Sequence, residues 1–244
     1  MSKPMIICCK EWSVTVALAA LLESSTIQAV YSRKQLIRVL QDNPGVPVVL
    51  GLNPHEHVVD LYQLKPLLMG REGVFIASCF YWTDYSLTKW LGLDRYSFCS
   101  WDTLQAPFSR LEKLQSFKRL TITEQCHYTA EMGTHALSPM PFPKTEVKVL
   151  EWANQWLSWK LAEAGLNTNE IRVLSLMAEG RKVGLPCRVR STHKVNGLYK
   201  LGMNKHVMNV YRGVRVRQEL QSRWLTFGVE ISTQSVSPYC QETG

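Results

Sequence analysis

The stretch VPVVLGLNPHEHVVDLYQLKPLLMGREGVFIASCF, residues 46–80, decides the fold. Its first part, residues 46–52, is a continuous apolar run of the kind that forms a strand buried on both faces. An Asn-Pro pair then turns the chain into a predicted helix over about 56–68. Residues 73–80 form a second apolar run. A buried strand, a helix and another buried strand in this order predict a β-α-β unit with parallel strands.

The same alternation continues on both sides of this unit. A serine at position 32 suits the N-cap of the helix that follows it. The other predicted strands span residues 5–9, 26–32 and 95–101, and the other predicted helices span residues 14–25, 32–43, 81–93 and 108–120. Five strand-helix repeats within residues 1–120 predict an α/β fold with a doubly wound, parallel five-stranded sheet and right-handed crossovers.

The order and size of these elements resemble the receiver domain of two-component response regulators. An active receiver carries an acidic pair after strand one, a phosphoacceptor aspartate at the end of strand three, a Ser or Thr after strand four and a lysine after strand five. In this chain strand one is followed by Lys10 and Glu11, strand three ends at Asn53, strand four offers Ser78, and strand five ends at Ser100. Most of the receiver set is therefore absent.

These departures have a chemical consequence. Phosphoryl transfer to a carboxylate needs the aspartate itself, together with acids that hold Mg²⁺ against the phosphoryl oxygens. The resemblance therefore implies a receiver-like domain, a pseudo-receiver, that no longer accepts phosphate and acts through protein contacts. An unrelated flavodoxin-like domain is the alternative, because the resemblance lies in topology.

The positive charge is concentrated in one part of the chain. The sequence has 28 Lys and Arg against 20 Asp and Glu, a net charge of +8, of which residues 1–140 carry +1 and residues 141–244 carry +7. Residues 181–223 alone contain eleven basic residues and one acid, for a local net charge of +10. Such a block attracts polyanions, nucleic acid first among them. A merely solvated basic face is the alternative.

Residues 121–144 have mixed composition and end in three closely spaced prolines, which predicts a linker between two domains. A helix is predicted from Thr145 to Gly165. Its Trp, Leu and Val residues occupy much of the helix circumference, so we expect it to be buried against more than one neighbour, another subunit included.

The stretch LNTNEIRVLSLMAEG, residues 166–180, resembles the opening helix of LuxR-type helix-turn-helix domains. Asn167 or Thr168 suits the N-cap, Glu170 suits the first turn, and Gly180 ends the helix. The positions that carry the resemblance are Leu166, Thr168, Glu170, Val173, Leu174, Leu176, Ala178 and Gly180. Residues 145–244 are accordingly predicted to form an all-α DNA-binding domain.

The stretch HKVNGLYKLGMNKHVMNVYRGVRVRQEL, residues 193–220, resembles the recognition unit of the same family. It predicts a short helix over 194–201, a turn, and a recognition helix over about 205–220 with Asn204 as its N-cap. The spacing of Val207, Val210, Tyr211 and Val214 predicts a buried stripe on that helix. The residues before it, 181–192, form an insertion relative to the family, predicted as a loop or hairpin that either contacts phosphate or is simply solvated.

Basic and amide side chains on these segments are the candidate DNA contacts, since Asn and Arg read base edges and Lys contacts phosphate. The predicted DNA-binding residues are Lys205, His206, Asn209, Arg212, Arg215, Lys200, Lys194, Arg188 and Arg190. A basic helical module that binds protein or RNA is the alternative.

Other site types have little support in the sequence. The seven cysteines lack metal-ligand spacing and are expected to be reduced and mostly buried. His55 and His57 do not share a helical face, so a structural role in the first helical turn is expected of them. We expect no cofactor, no metal, no enzymatic activity and no membrane segment, and a cytoplasmic location.

Together the two resemblances imply an atypical LuxR-type transcriptional regulator that binds double-stranded DNA independently of phosphorylation, as a homodimer or as a heterodimer with a related regulator. The alternative is a co-regulator that binds another transcription factor without reading DNA. In that case we expect an exposed partner surface within residues 81–120 that includes Trp82, Trp90 and Trp101.

Overall fold

The computed structural model describes residues 4–22, 26–105 and 145–222. Its five strands are all parallel and form one sheet in the order β2-β1-β3-β4-β5. The strands are β1 (Met5–Cys9), β2 (Ile27–Val30), β3 (Val48–Gly51), β4 (Gly73–Ala77) and β5 (Tyr96–Ser100). This strand order confirms the predicted receiver-like, doubly wound α/β fold. Further helices come after the sheet along the chain.

Five helices accompany the sheet. They are α1 (Trp12–Leu22), α2 (Arg33–Asp42), α3 (Val58–Leu68), α4 (Trp82–Trp90) and α5 (Trp101–Gln105). Ser32 caps α2 as predicted, because its hydroxyl accepts a hydrogen bond from the Gln35 amide. α3 begins later than predicted, since Pro54–Glu56 form a separate 3-10 turn. The predicted helix 108–120 and linker 121–144 lie outside the described residues.

The alternation of side chains along each strand builds two cores, one on each face of the sheet. Ile6 and Cys8 pack with apolar residues of α2 and α3. Met5, Ile7 and Cys9 point to the opposite face and pack with α1 and α5. Every residue of β1 is therefore buried, which explains why the strand sequences are continuous apolar runs.

A buried arginine joins two helix ends on the first of these faces. The Arg71 side chain is only 6% exposed, and its guanidinium donates hydrogen bonds to the carbonyl oxygens of Leu67, Asn43, Val46 and Leu40. Burial lowers the pKa of this guanidinium below its ordinary value. Arg71 thus satisfies carbonyl groups that the ends of α2 and α3 leave without helical partners.

Four helices form the second half of the described chain. They are α6 (Glu146–Glu163), α7 (Thr168–Ala178), α8 (Cys187–Lys200) and α9 (Val207–Gly213). A 3-10 turn, Gln218–Leu220, comes after them. Asn167 caps α7 as predicted, in a reciprocal capping box with Glu170. Gly180 follows α7 with a positive φ of 70°, which suits glycine at a helix end.

Two predicted boundaries in this half are wrong. Residues 187–192 are not a loop or hairpin, because α8 begins at Cys187, seven residues before the predicted start. The predicted helix over 205–220 is only seven residues long and ends at Gly213. The chain beyond it is held in a non-helical conformation by the Asn154 side chain, which hydrogen bonds to both the amide and the carbonyl oxygen of Val216.

α6 joins the two halves of the chain. Its apolar face forms one cluster with α3 and α4, which includes Val58, Leu87, Val149, Ala153 and Leu157. The opposite end of α6 contributes to the core shared by α7, α8 and α9. Burial of this helix against more than one neighbour is thus confirmed, and its neighbours here belong to the same chain.

The expected exposure of three tryptophans is wrong. Trp82 and Trp90 are half-buried and pack against the apolar cluster between α4 and α6. Trp101 is half-buried against the core beneath α1. These side chains are partly covered by the chain's own helices, so they do not form a free partner surface.

Candidate nucleic-acid interface

The basic residues of the 181–223 block fall into two groups in the structure. Arg223 lies outside the described residues. The five cations with an acidic partner are Arg181 and Arg215, both with Glu179, Lys200 with Glu170, Arg212 with Glu56, and Arg217 with Glu219. The five without an acidic partner among the described residues are Lys182, Arg188, Arg190, Lys194 and Lys205. The cations without an acidic partner therefore lie on α8 and on the two loops that flank it.

The ion pair of Lys200 shows why a basic residue in this block need not face DNA. Its ammonium group contacts the Glu170 carboxylate at 2.8 Å and the Gly165 carbonyl oxygen at 3.0 Å. Burial by itself raises the pKa of the Glu170 carboxyl, but the hydrogen bonds from Lys200 and the Asn167 amide outweigh it and the pKa lies below its ordinary value. Lys200 thus helps to hold α8 against α7, and its DNA contact stays a prediction.

Arg212 and Arg215 also form ion pairs within the protein. Arg215 forms its ion pair with Glu179, at the end of α7. Arg212 contacts Glu56, which belongs to the receiver-like half. Both arginines therefore have acidic partners that the fold brings close, and their DNA contacts stay predictions.

The predicted buried stripe on α9 is partly wrong. Val210 and Val214 are buried as expected, and Tyr211 is half-buried. The Arg217 guanidinium lies over the Tyr211 ring, 3.9 Å from its centroid. Val207 is 69% exposed, because the short helix packs through its middle and its C-terminal end only.

Polar side chains at the start of α9 are engaged with one another. The Asn204 side-chain oxygen accepts hydrogen bonds from the His206 amide at 2.9 Å and from the Asn209 carboxamide at 2.6 Å. His206, rather than the predicted Asn204, is the N-cap, and its ring accepts a hydrogen bond from the Met208 amide. Lys205 is exposed beside them. His206 and Asn209 thus stabilise the turn into α9.

The C-terminal end of α9 and the residues after it pack on the receiver-like half. The Thr83 hydroxyl donates to the Arg212 carbonyl oxygen at 2.8 Å. The Gln221 carboxamide donates to the His55 carbonyl oxygen at 2.8 Å and accepts from the Val58 amide at 3.1 Å. This end of the predicted recognition unit is consequently covered by protein.

His55 has the structural role that the sequence predicts. It is buried, and its Nδ1 and backbone amide both lie 2.8 Å from one oxygen of the Asp84 carboxylate. The other oxygen of Asp84 accepts from the Tyr81 amide, so the dyad ties the turn after β3 to the start of α4. The described residues contain no group of three or more His, Cys, Asp or Glu side chains that could hold a metal ion.

An amide side chain follows β3, where the receiver resemblance would place a phosphoacceptor. Asn53 lies two residues after the end of β3 at Gly51, and its carboxamide donates a hydrogen bond to the Cys79 carbonyl oxygen at 2.7 Å. The neighbouring Cys9 thiol is buried, and burial raises its pKa to about 11. An amide and a neutral thiol offer neither a phosphoryl acceptor nor charged magnesium ligands.

Comparison with known proteins finds similarity among solved structures alone. No protein-family model matches the chain, and no curated protein matches it. Among solved structures, full-length FixJ from B. japonicum is 12% identical, with 86% of this chain and 94% of that chain covered and a TM-score of 0.37. The response regulator StyR is 16% identical, with 86% and 97% covered and a TM-score of 0.34.

Three exposed residues of α8 are absent from the predicted contacts. Thr192, Val195 and Tyr199 lie on the solvent side of this helix, and Tyr199 is 83% exposed. Their spacing is helical, and no proline or glycine occurs between Cys187 and Asn196. The absence of helix-breaking residues was the available signal for one long helix, whereas residues 181–192 were predicted to be an inserted loop or hairpin.

Within the described residues, no helix is both long and apolar enough to cross a lipid bilayer.

Proposed function

We propose that this chain is a DNA-binding transcriptional regulator with a helix-turn-helix of LuxR type, and that it is not an enzyme. The observation that carries the proposal is the group of unpaired cations on α8 and its flanking loops. Lys182, Arg188, Arg190, Lys194 and Lys205 have no acidic partner among the described residues, and a duplex supplies closely spaced phosphates. The resemblance of residues 166–180 to the family's opening helix supports the same function.

Regulation is proposed to be independent of phosphorylation. Asn53 replaces the phosphoacceptor aspartate, and its side chain already donates to the Cys79 carbonyl oxygen. Acetyl phosphate should therefore leave both the mass of the protein and its DNA affinity unchanged. Labelling of an aspartate in the first half of the chain would contradict this part of the proposal.

The proposal also includes association with a second copy of the chain or with a related regulator. We place this association in the cytoplasm. The surface that suits it is α1, which has no charged side chain from Trp12 to Leu22. Trp12 is 68% exposed and Val16 is 45% exposed, so the outer side of α1 offers apolar area without charge repulsion. The same observation favours the second candidate function, a co-regulator that contacts another transcription factor and no DNA.

One experiment separates the two candidates. The purified full-length chain is incubated alone with fluorescent duplex fragments, and anisotropy is followed at increasing salt. The DNA-binding function predicts an affinity that falls steeply with salt, because bound phosphates release counterions. The co-regulator function predicts two other results. The chain would bind no duplex at low salt, and it would capture a partner regulator in a way that Val16→Lys abolishes.

A further inference from the structure

Several contacts between the end of α9 and the receiver-like half converge on one short segment, the turn after β3. The Glu56 carboxylate pairs with Arg212, and the Glu56 carbonyl oxygen accepts a hydrogen bond from the Ser222 amide at 2.8 Å. The His55 carbonyl oxygen accepts from the Gln221 carboxamide at 2.8 Å. A shift of residues 55 and 56 would therefore disturb three contacts that hold the two halves together.

The His55 side chain lies in the middle of this segment and is only 1% exposed. Its Nδ1 lies 2.8 Å from the carboxylate of Asp84, which is fully buried. Its Nε2 is also buried and has no hydrogen-bond partner among the described residues. This atom faces Glu56, with 3.6 Å between Nε2 and Oε1, just beyond hydrogen-bond distance. The same Oε1 atom binds Arg212, so one oxygen lies between a histidine and an arginine.

Two further titratable side chains lie near His55. The Tyr81 ring contacts the imidazole edge-on, with 5.2 Å between centroids, and burial raises the pKa of Tyr81 to about 12, so its hydroxyl stays neutral. His57, on the same turn, faces Asp60, with 3.8 Å between Nδ1 and Oδ2. Histidine is the side chain that ordinarily changes charge near neutral pH. The charge beside the Glu56 oxygen is therefore set chiefly by His55.

A neutral His55 suits the contacts of α9. With its proton on Nδ1, the ring donates to Asp84 and leaves the Glu56 oxygen to Arg212. Protonation makes Nε2 a donor, and the acceptor that faces it is this same oxygen. We propose that His55 is a pH-sensitive switch: its protonation draws the Glu56 carboxylate away from Arg212 and releases the end of α9 from the receiver-like half.

The direction of the pH effect follows from proton linkage. Docking of α9 brings the Arg212 cation close to His55 and packs Gln221 against it, and both changes disfavour a charged imidazole. Asp84 favours the charged form in the docked and the released state alike, because it belongs to the same half as His55. Docking is therefore complete above the range in which His55 titrates and is lost as the pH falls through that range. The switch acts whether or not the chain binds DNA.

The test measures how firmly the end of α9 is held as the pH changes. Amide hydrogen exchange of the full-length chain is followed by mass spectrometry at pH of about 5.5, 6.5 and 7.5. Each rate is corrected for the intrinsic pH dependence of exchange, and peptides within residues 206–222 report on the contact. His55→Gln keeps a donor toward Asp84 but cannot take up the charge. His193→Gln, at a histidine of α8, is the matched control.

We expect the protection of residues 206–222 in the unaltered chain to fall by about tenfold from the highest to the lowest pH. About ten is the ratio of charged to neutral imidazole at the lowest pH for an ordinary histidine. His55→Gln should keep its protection in acid, and His193→Gln should behave like the unaltered chain.

Glu56→Gln removes the shared carboxylate, so its protection should be lower throughout and independent of pH. This variant decides the matter if His55→Gln does not fold. Constant protection of the unaltered chain would overturn the switch. A fall in acid that persists in His55→Gln or in Glu56→Gln would overturn it as well, because the titrating group would then lie elsewhere.

Discussion

Arg212 of α9 and Glu56 of the turn after β3 form an ion pair, with 2.5 Å between Nη1 and Oε1, although 155 residues separate them in sequence. The contact joins the predicted DNA-reading segment to the receiver-like half. Its neighbours reinforce it, since Thr83 binds the carbonyl oxygen of Arg212 and the Ser222 amide binds that of Glu56. Arg212 is thus an interdomain residue in this structure.

Replacing Glu56 by Gln should weaken this junction. Both side chains are about a quarter exposed, so the loss in the free energy of unfolding is expected to be about 1 kcal/mol, measured by urea denaturation. Glu219→Gln is the control, because it removes the more exposed pair with Arg217 and should change little. Equal stability of Glu56→Gln and the unaltered chain would show that the pair does not tie the halves together. Arg212→Ala should leave the base preference unchanged.

The salt dependence of DNA binding should follow the unpaired cations. Replacing both Arg190 and Lys194 by Ala is expected to reduce the slope of log affinity against log salt by about 2, since each lost phosphate contact accounts for about 0.9. Arg215→Ala is the matched control, because that arginine already has an acidic partner in Glu179. Fluorescence anisotropy between low and moderate salt measures the slopes. A larger change in the control than in the double variant would contradict the division of the cations into two groups.

Arg71 should be among the most sensitive positions in the receiver-like half. Arg71→Ala leaves four carbonyl groups of Leu40, Asn43, Val46 and Leu67 without their donor. We expect a loss of about 3 kcal/mol in the free energy of unfolding. Hydrogen bonds from a charged donor are strong, and a buried carbonyl group that loses its donor is costly. Arg38→Ala, on the exposed side of α2, should be nearly neutral. Chemical denaturation compares the two, and a small effect at Arg71 would mean that water replaces its guanidinium.

Glu170 should make stability depend on pH in the acidic range. Its pKa in the folded chain lies below its ordinary value, so the stabilisation is fully present above the pKa of the unfolded chain, about 4.3. It is lost as the pH falls through the lower folded value. Glu170→Gln should therefore cost about 1–2 kcal/mol at neutral pH and progressively less below pH of about 4. Unfolding curves at several pH values test this, with the exposed Glu151→Gln as the control. A difference that does not shrink in acid would exclude the carboxylate as its source.

Local patterns in the sequence were sufficient for the sheet and for several helix ends. The apolar runs around Ile6, Val49 and Phe75 predict buried parallel strands because strands covered on both faces have no polar side. The caps at Ser32 and Asn167 were predictable since a cap involves residues only three positions apart. The length of α9 was not, because it depends on Asn154 in another helix.

The sequence by itself determined the alternation of strands and helices, the presence of Asn53 rather than an aspartate after β3, and the concentration of positive charge after residue 180. Only the tertiary structure decided which of those charges are free, because Glu56, Glu170 and Glu179 reach their partners through packing that sequence distance does not reveal. Hydrophobic period and capping act over one or two turns, whereas ion pairing depends on which surfaces the core brings together. The candidate DNA surface therefore moves from the segment with the strongest family resemblance to the neighbouring helix, whose cations the fold leaves without partners among the described residues.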